Sequence, residues 1–86
     1  MEIIKIGAAD AKRSYIEITQ NGYKPITKEA ARKESTSLLL ALLEYILKSG
    51  EDKKSKAGKL SYNNINAVLD ERDIEDKERE ARYTEQ

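Results

Sequence analysis

Hydrophobic and polar residues follow two different patterns along this chain. In the first 27 residues the period is two, because Ile16 and Ile18 alternate with more polar neighbours and the pair Asn21–Gly22 follows directly. Such alternation is typical of a half-buried strand, and Asn-Gly is typical of a tight hairpin turn. The pattern predicts three strands, at about residues 2–6, 14–20 and 23–26.

These strands are expected to form a small antiparallel β-meander. Pro25 cannot donate a hydrogen bond to a neighbouring strand, so the third strand should lie at an edge or be short. One face of the sheet would be buried and would carry Ile4, Ile6, Ile16, Ile18 and Ile26. The pattern leaves open whether the strands pair within one chain or exchange between two.

From Thr27 onward the pattern changes to that of a helix, predicted at about residues 28–49. Thr27 is a suitable N-cap, and Gly50 can adopt the left-handed conformation that ends a helix. The run Ser35–Ser37 has poor helix propensity and indicates a bend or a break.

The second half of this helix is rich in leucine. Its apolar residues cover an arc of about 220°, whereas an ordinary surface helix has an apolar stripe of little more than about 100°. The helix therefore needs cover on two sides. Either it is a core helix covered by its own chain, or part of it is an interface for a second copy or a partner. The candidate interface residues are Leu39, Leu40, Leu43 and Leu47.

A second helix is predicted at about residues 61–80, with Ser61 as its N-cap and a polar connection before it. Its end has two interpretations. Asp73 followed by Ile74 fits a Schellman-type stop, whereas acid–base pairs at i,i+4 beyond Asp73 favour a longer helix. The predicted fold is therefore α+β: one compact domain over residues 1–74, and a charged, partly helical or frayed tail over residues 75–86.

Composition excludes most catalytic and metal chemistry. The 86 residues include no His and no Cys, so zinc or haem ligation of the usual kind, a Ser-His or Cys-His nucleophile, and disulfides are all absent. The carboxylates Asp70, Asp73 and Asp76 lie in a polar segment with nothing to exclude water, and the four glycines are isolated. We expect no enzyme, no metal and no cofactor.

Charge is unevenly distributed although the net charge is zero. Residues 1–60 hold 12 basic and 8 acidic side chains, a net charge of +4, and residues 61–86 hold 4 basic and 8 acidic ones, a net charge of −4. Four lysines in the polar connection are a candidate contact for a polyanion, although lysine runs in loops are mostly just solvated. These residues are Lys53, Lys54, Lys56 and Lys59.

The sequence thus predicts a small non-enzymatic interaction module. The preferred hypothesis is a homo-oligomeric regulator or inhibitor that occupies the surface of a target protein through the leucine residues. Small proteins of this kind are common on phages and mobile elements, although no residue here indicates such an origin. The alternative is a nucleic-acid-binding accessory protein that uses the lysine loop. No segment approaches the roughly 20 apolar residues of a membrane span, so we expect a cytoplasmic protein without membrane contact.

Overall fold

The leucine-rich helix lies at the centre of the fold. The structure is a computed structural model that describes residues 6–74. The central helix, α3, spans Thr36–Ser49. It begins where the Ser35 hydroxyl accepts a hydrogen bond from the amide of Leu38 at 3.1 Å, and it ends at Gly50, whose φ is +76°.

The described part of the chain contains four further helices. They are α1 (Ala8–Thr19), α2 (Lys28–Arg32), α4 (Glu51–Lys54) and α5 (Lys56–Glu71). Helices α1, α4 and α5 contact α3, and α5 also contacts α2 and α4. The two apolar sides of α3 are thereby covered by other helices of the same chain.

The predicted β-meander is wrong, because residues 6–74 contain no strand. Residues 14–20 belong to α1 and its C-cap, residues 23–26 form an irregular segment, and residues 2–5 lie outside the described part. Alternation over five residues is compatible with a strand, but it does not exclude a helix with a longer burial period. The buried residues of this segment have the spacing of a helix. Ala11, Tyr15 and Thr19 lie at i, i+4 and i+8 and share one helical face.

The buried side of α1 is accordingly not the one that alternation predicted. Ile16 and Ile18 are only partly buried, whereas Tyr15 and Thr19 are almost fully buried. The ring of Tyr15 packs against that of Tyr45 on α3, with centroids 5.2 Å apart. Burial, followed by the charge of Glu51, raises the pKa of the Tyr15 phenol to about 12.

Asn21 and Gly22 adopt the positive φ values that the sequence suggests, +61° and +87°, but they do not join two strands. Together with Gln20 they form the turn after α1. The Thr19 hydroxyl, which donates to the carbonyl of Tyr15 at 2.6 Å, accepts the amide of Gly22 at 3.0 Å. This turn directs the chain into the segment that ends at the fully buried Ile26.

The single helix predicted at 28–49 is two helices. Thr27 caps α2 as predicted, its hydroxyl accepting the amide of Ala30 at 3.1 Å. The predicted break is also confirmed, since α2 ends at Arg32 and Ser35 caps α3. Serine and threonine side chains that bond nearby amides favour helix starts over helix interiors, which explains the interruption.

The second predicted helix is displaced along the chain. It starts at Lys56 with Ser55 as its N-cap, so the predicted polar connection is largely helical and Ser61 lies inside α5. The buried Ser61 hydroxyl donates to the carbonyl of Ala57 and accepts the amide of Ile26, both at 2.8 Å. Ser61 therefore holds the segment before α2 against α5.

The end of α5 follows the Schellman interpretation and not the longer helix to residue 80. Asp73 has a φ of +58°, and the amide of Ile74 donates to the carbonyl of Leu69 at 3.0 Å. Ile74 is buried in the core. The predicted tail over residues 75–86 lies outside the described residues.

Arginine side chains connect the end of α5 to the α2–α3 junction. Arg72 donates to the carbonyls of Arg32 and Glu34 and to the Thr36 hydroxyl, at 2.9–3.1 Å. Arg32 in turn donates two hydrogen bonds to the Glu71 carboxylate, which holds the pKa of Glu71 below its usual range. These bonds fix where α5 ends relative to the start of α3.

Candidate functional site

The four candidate lysines lie on helices at one exposed surface. Lys53 and Lys54 are on α4, and Lys56 and Lys59 are on the first turn of α5. All four are exposed, and together with Asp52 and Ser55 they line one shallow depression. We call these four residues the lysine surface. Its description as a loop is wrong, because only Ser55 separates the two helices.

The junction between α4 and α5 is fixed by backbone and side-chain hydrogen bonds. The amide of Lys54 donates to the carbonyl of Gly50 at 3.0 Å, so α4 continues from the end of α3. The Ser55 hydroxyl then accepts the amide of Gly58 at 3.0 Å and caps α5. The backbone at all four lysines is consequently part of a hydrogen-bonded turn or helix.

Gly58 allows α5 to pack directly on α4. A Cβ atom at this position would overlap the backbone carbonyl of Glu51, lying 2.6 Å from the carbonyl carbon. Gly58 therefore acts here as a close-contact residue inside a helix and does not break it. The close approach brings the lysines of the two helices to the same surface.

The charge of this surface is only partly compensated. Glu51 approaches Lys54 at 3.9 Å, and this long ion pair, in which the Lys54 side chain is exposed, has little energetic weight. Within residues 6–74, Lys53, Lys56 and Lys59 form no ion pair. The amino-terminal end of α5 adds partial positive charge at the same place. The arrangement is suited to electrostatic contact with an anionic polymer.

Two exposed residues of α5 beside the lysine surface were not predicted. Leu60 is 48% exposed, and Asn63 is exposed one turn further along. The helix was predicted to begin at Ser61, so the prediction did not place Leu60 and Asn63 on the same helix as Lys56 and Lys59. Ser55 is a suitable N-cap followed by Lys56 and Ala57, which are good helix formers, and this is the signal that could have revealed the earlier start.

The candidate leucine interface is largely inside the chain. Leu39, Leu40 and Leu43 have at most 3% of their surface exposed, whereas Leu47 is 38% exposed. The three buried leucines belong to the core cluster, which includes Tyr15 of α1 and Ile65 of α5. Most of the wide apolar arc of α3 is thus covered without a second copy, and of the four candidate residues only Leu47 is exposed.

The described carboxylates do not form a metal site. No group of three His, Cys, Asp or Glu side chains within residues 6–74 comes close enough to hold a metal ion. Asp70 and Asp73 are both exposed near the end of α5, and Asp76 lies outside the described residues. No helix in this part of the chain has the length and apolarity needed to cross a membrane.

Comparison of the chain with protein-family models, with curated proteins and with solved structures finds no match.

Substitution of Gly58 tests the α4–α5 junction on which the lysine surface depends. Alanine normally stabilises a helix by up to about 1 kcal/mol relative to glycine. Gly58→Ala is expected to do the opposite and to lower the free energy of unfolding by about 1–3 kcal/mol, because the methyl group overlaps the backbone of Glu51. Chemical denaturation measures the change. Gly7→Ala is the control without steric overlap, since nothing lies within 4 Å of a Cβ atom there; Gly7 is the N-cap of α1, so this change should cost no more than about 1 kcal/mol. A more stable Gly58→Ala variant would contradict the close packing.

Substitutions on α3 separate core from interface. Leu43→Ala is expected to lower the free energy of unfolding by about 2–5 kcal/mol, because Leu43 is 1% exposed. Leu47→Glu is expected to change stability little. Light scattering during size-exclusion chromatography would then give the mass of each protein. A wild-type mass above the 9.8 kDa monomer that Leu47→Glu reduces would instead support self-association through Leu47.

Proposed function

We propose that this protein is a non-enzymatic, cytoplasmic nucleic-acid-binding accessory protein that contacts phosphate groups through the lysine surface. The observation that carries the proposal is the convergence of four exposed lysines at the α4–α5 junction, three of them without an ion pair in the described chain. Lysine is a point charge on a flexible stem and suits contacts to a phosphate backbone without regard to its sequence.

The structural setting of the lysines favours this function over the leucine-based one. In a flexible loop, lysines would have to be ordered on binding, at a cost in conformational entropy. On α4 and α5 the backbone is already ordered, so only the side chains lose freedom. At the same time the burial of Leu39, Leu40 and Leu43 within the chain removes the reason to expect a large leucine interface.

The expected affinity is modest and depends on salt. If each of the four lysines neutralises one phosphate, the logarithm of the binding constant should fall with the logarithm of salt concentration with a slope of about −3 to −4. Sequence-independent binding of this type has dissociation constants of about 10⁻⁴ to 10⁻⁶ M at physiological salt. Asp52 lies among the lysines and would reduce the effective charge.

A protein–protein interaction module is the second candidate, with a homo-oligomeric regulator or inhibitor as its specific form. The observation that favours it is the exposure of Leu47, together with that of Leu60 and of Tyr23, which is 85% exposed. In this case the target is a protein surface and not a polyanion.

Neutralising the lysine surface tests the preferred function. The variant Lys53→Gln, Lys54→Gln, Lys56→Gln, Lys59→Gln is expected to weaken binding to a mixed-sequence duplex at least about tenfold at low salt and to flatten the salt slope towards zero. Fluorescence anisotropy across a salt series measures both quantities.

The chain offers a control with the same change in net charge. The control residues are exposed and lie on α1, on α2, at its C-cap or in the segment between the two helices: Lys12, Lys28, Lys33 and Lys24. Their replacement by glutamine should leave most of the affinity and slope intact. Equal losses in the two variants would show that binding follows net charge alone and would refute a role for this particular surface.

A further inference from the structure

The amino-terminal half of α5 presents one continuous exposed face. Positions 56, 59, 60 and 63 are spaced i, i+3, i+4 and i+7, and all four side chains are exposed. The opposite side of the helix is buried against the rest of the chain through Gly58, Ser61 and Ile65. The face carries two lysines, one leucine and one asparagine: Lys56, Lys59, Leu60 and Asn63.

The two uncharged residues on this face have the chemistry of base recognition. An asparagine amide can donate to and accept from one adenine in the major groove, at the same base edge. An apolar side chain can contact the methyl group of thymine there. Asn63 forms no side-chain hydrogen bond within residues 6–74, so its amide is available.

The dimensions and the charge of α5 limit which nucleic acid fits. A helix enters the major groove of B-form DNA, which is about 12 Å wide, but not the deep, narrow major groove of RNA helices. Single strands are usually bound by stacking on aromatic rings, and the only aromatic residue of α5, Tyr62, packs against the core. Asp70 lies two turns beyond Asn63 and is exposed, so phosphates would be repelled from the carboxyl-terminal end.

We propose that the exposed face of α5 lies in the major groove of double-stranded DNA, with Asn63 and Leu60 against base edges and the lysine surface on the flanking phosphates. This inference rests on the proposed function and deepens it. It divides the site into two parts, since the lysines provide affinity for any duplex and Asn63 with Leu60 provides a preference for sequence.

The experiment begins with the wild-type full chain and a random-sequence duplex library of about 20 base pairs, from which bound duplexes are selected. Dissociation constants are then measured for the selected duplex, for a scrambled duplex and for one strand of the selected sequence. Asn63→Ala is expected to lose about tenfold in preference for the selected over the scrambled duplex while its affinity for the scrambled duplex stays the same. Lys59→Gln should weaken binding to both duplexes equally. Both side chains are exposed, so the variants should fold.

The outcomes distinguish this inference from the proposed function. Preference for the duplex over the single strand, a selected sequence, and its loss in Asn63→Ala support major-groove recognition. Equal binding to duplex and single strand, or an unchanged preference in Asn63→Ala, overturns the inference, while lysine-dependent binding would still support the proposed function. Absence of binding to every one of these nucleic acids at low salt overturns both.

Discussion

Burial of the leucine-rich helix α3 is the constraint on which the rest of the structure depends. A fully buried leucine contributes about 1.5–3 kcal/mol, and Leu39, Leu42 and Leu43 are all at most 1% exposed. Covering them takes helices on two sides, α1 through the Tyr15–Tyr45 contact and α5 through Ile65 and its neighbours. The irregular segment that ends at Ile26 is then held against α5 by Ser61.

Hydroxyl caps mark where three of the five described helices begin. Thr27, Ser35 and Ser55 each accept an amide three residues further along, and each marks the start of a helix. The cap at Ser55 also determines the candidate function. It starts α5 directly after α4, and with Gly58 it places four lysines on one surface. The lysine surface is therefore a consequence of how the chain turns after α3.

Local capping signals were predictable from the sequence, whereas the assignment of α1 and the start of α5 were not. Thr27, the break at Ser35, Gly50 and the stop at Asp73 act as their residue types indicate. In the sequence of α1, a short alternation of apolar and polar residues is also typical of a strand. The helix is favoured because it buries Tyr15 and Thr19 on one face, which depends on the packing of the whole chain. By residue type alone, Gly58 indicates the end of a helix. Its close contact with the backbone of Glu51 could not be predicted, because that contact depends on how α4 and α5 pack.

The most direct test of DNA binding by the lysine surface is a two-dimensional NMR titration of the ¹⁵N-labelled full chain with a short DNA duplex. If the lysine surface and α5 form the binding site, the largest amide shifts should fall within residues 53–63, and those of α1 and α2 should change little. Shifts centred on Leu47 and its neighbours would contradict this claim and indicate that α3 forms the binding surface. No shifts at low salt would show that the protein does not bind this DNA.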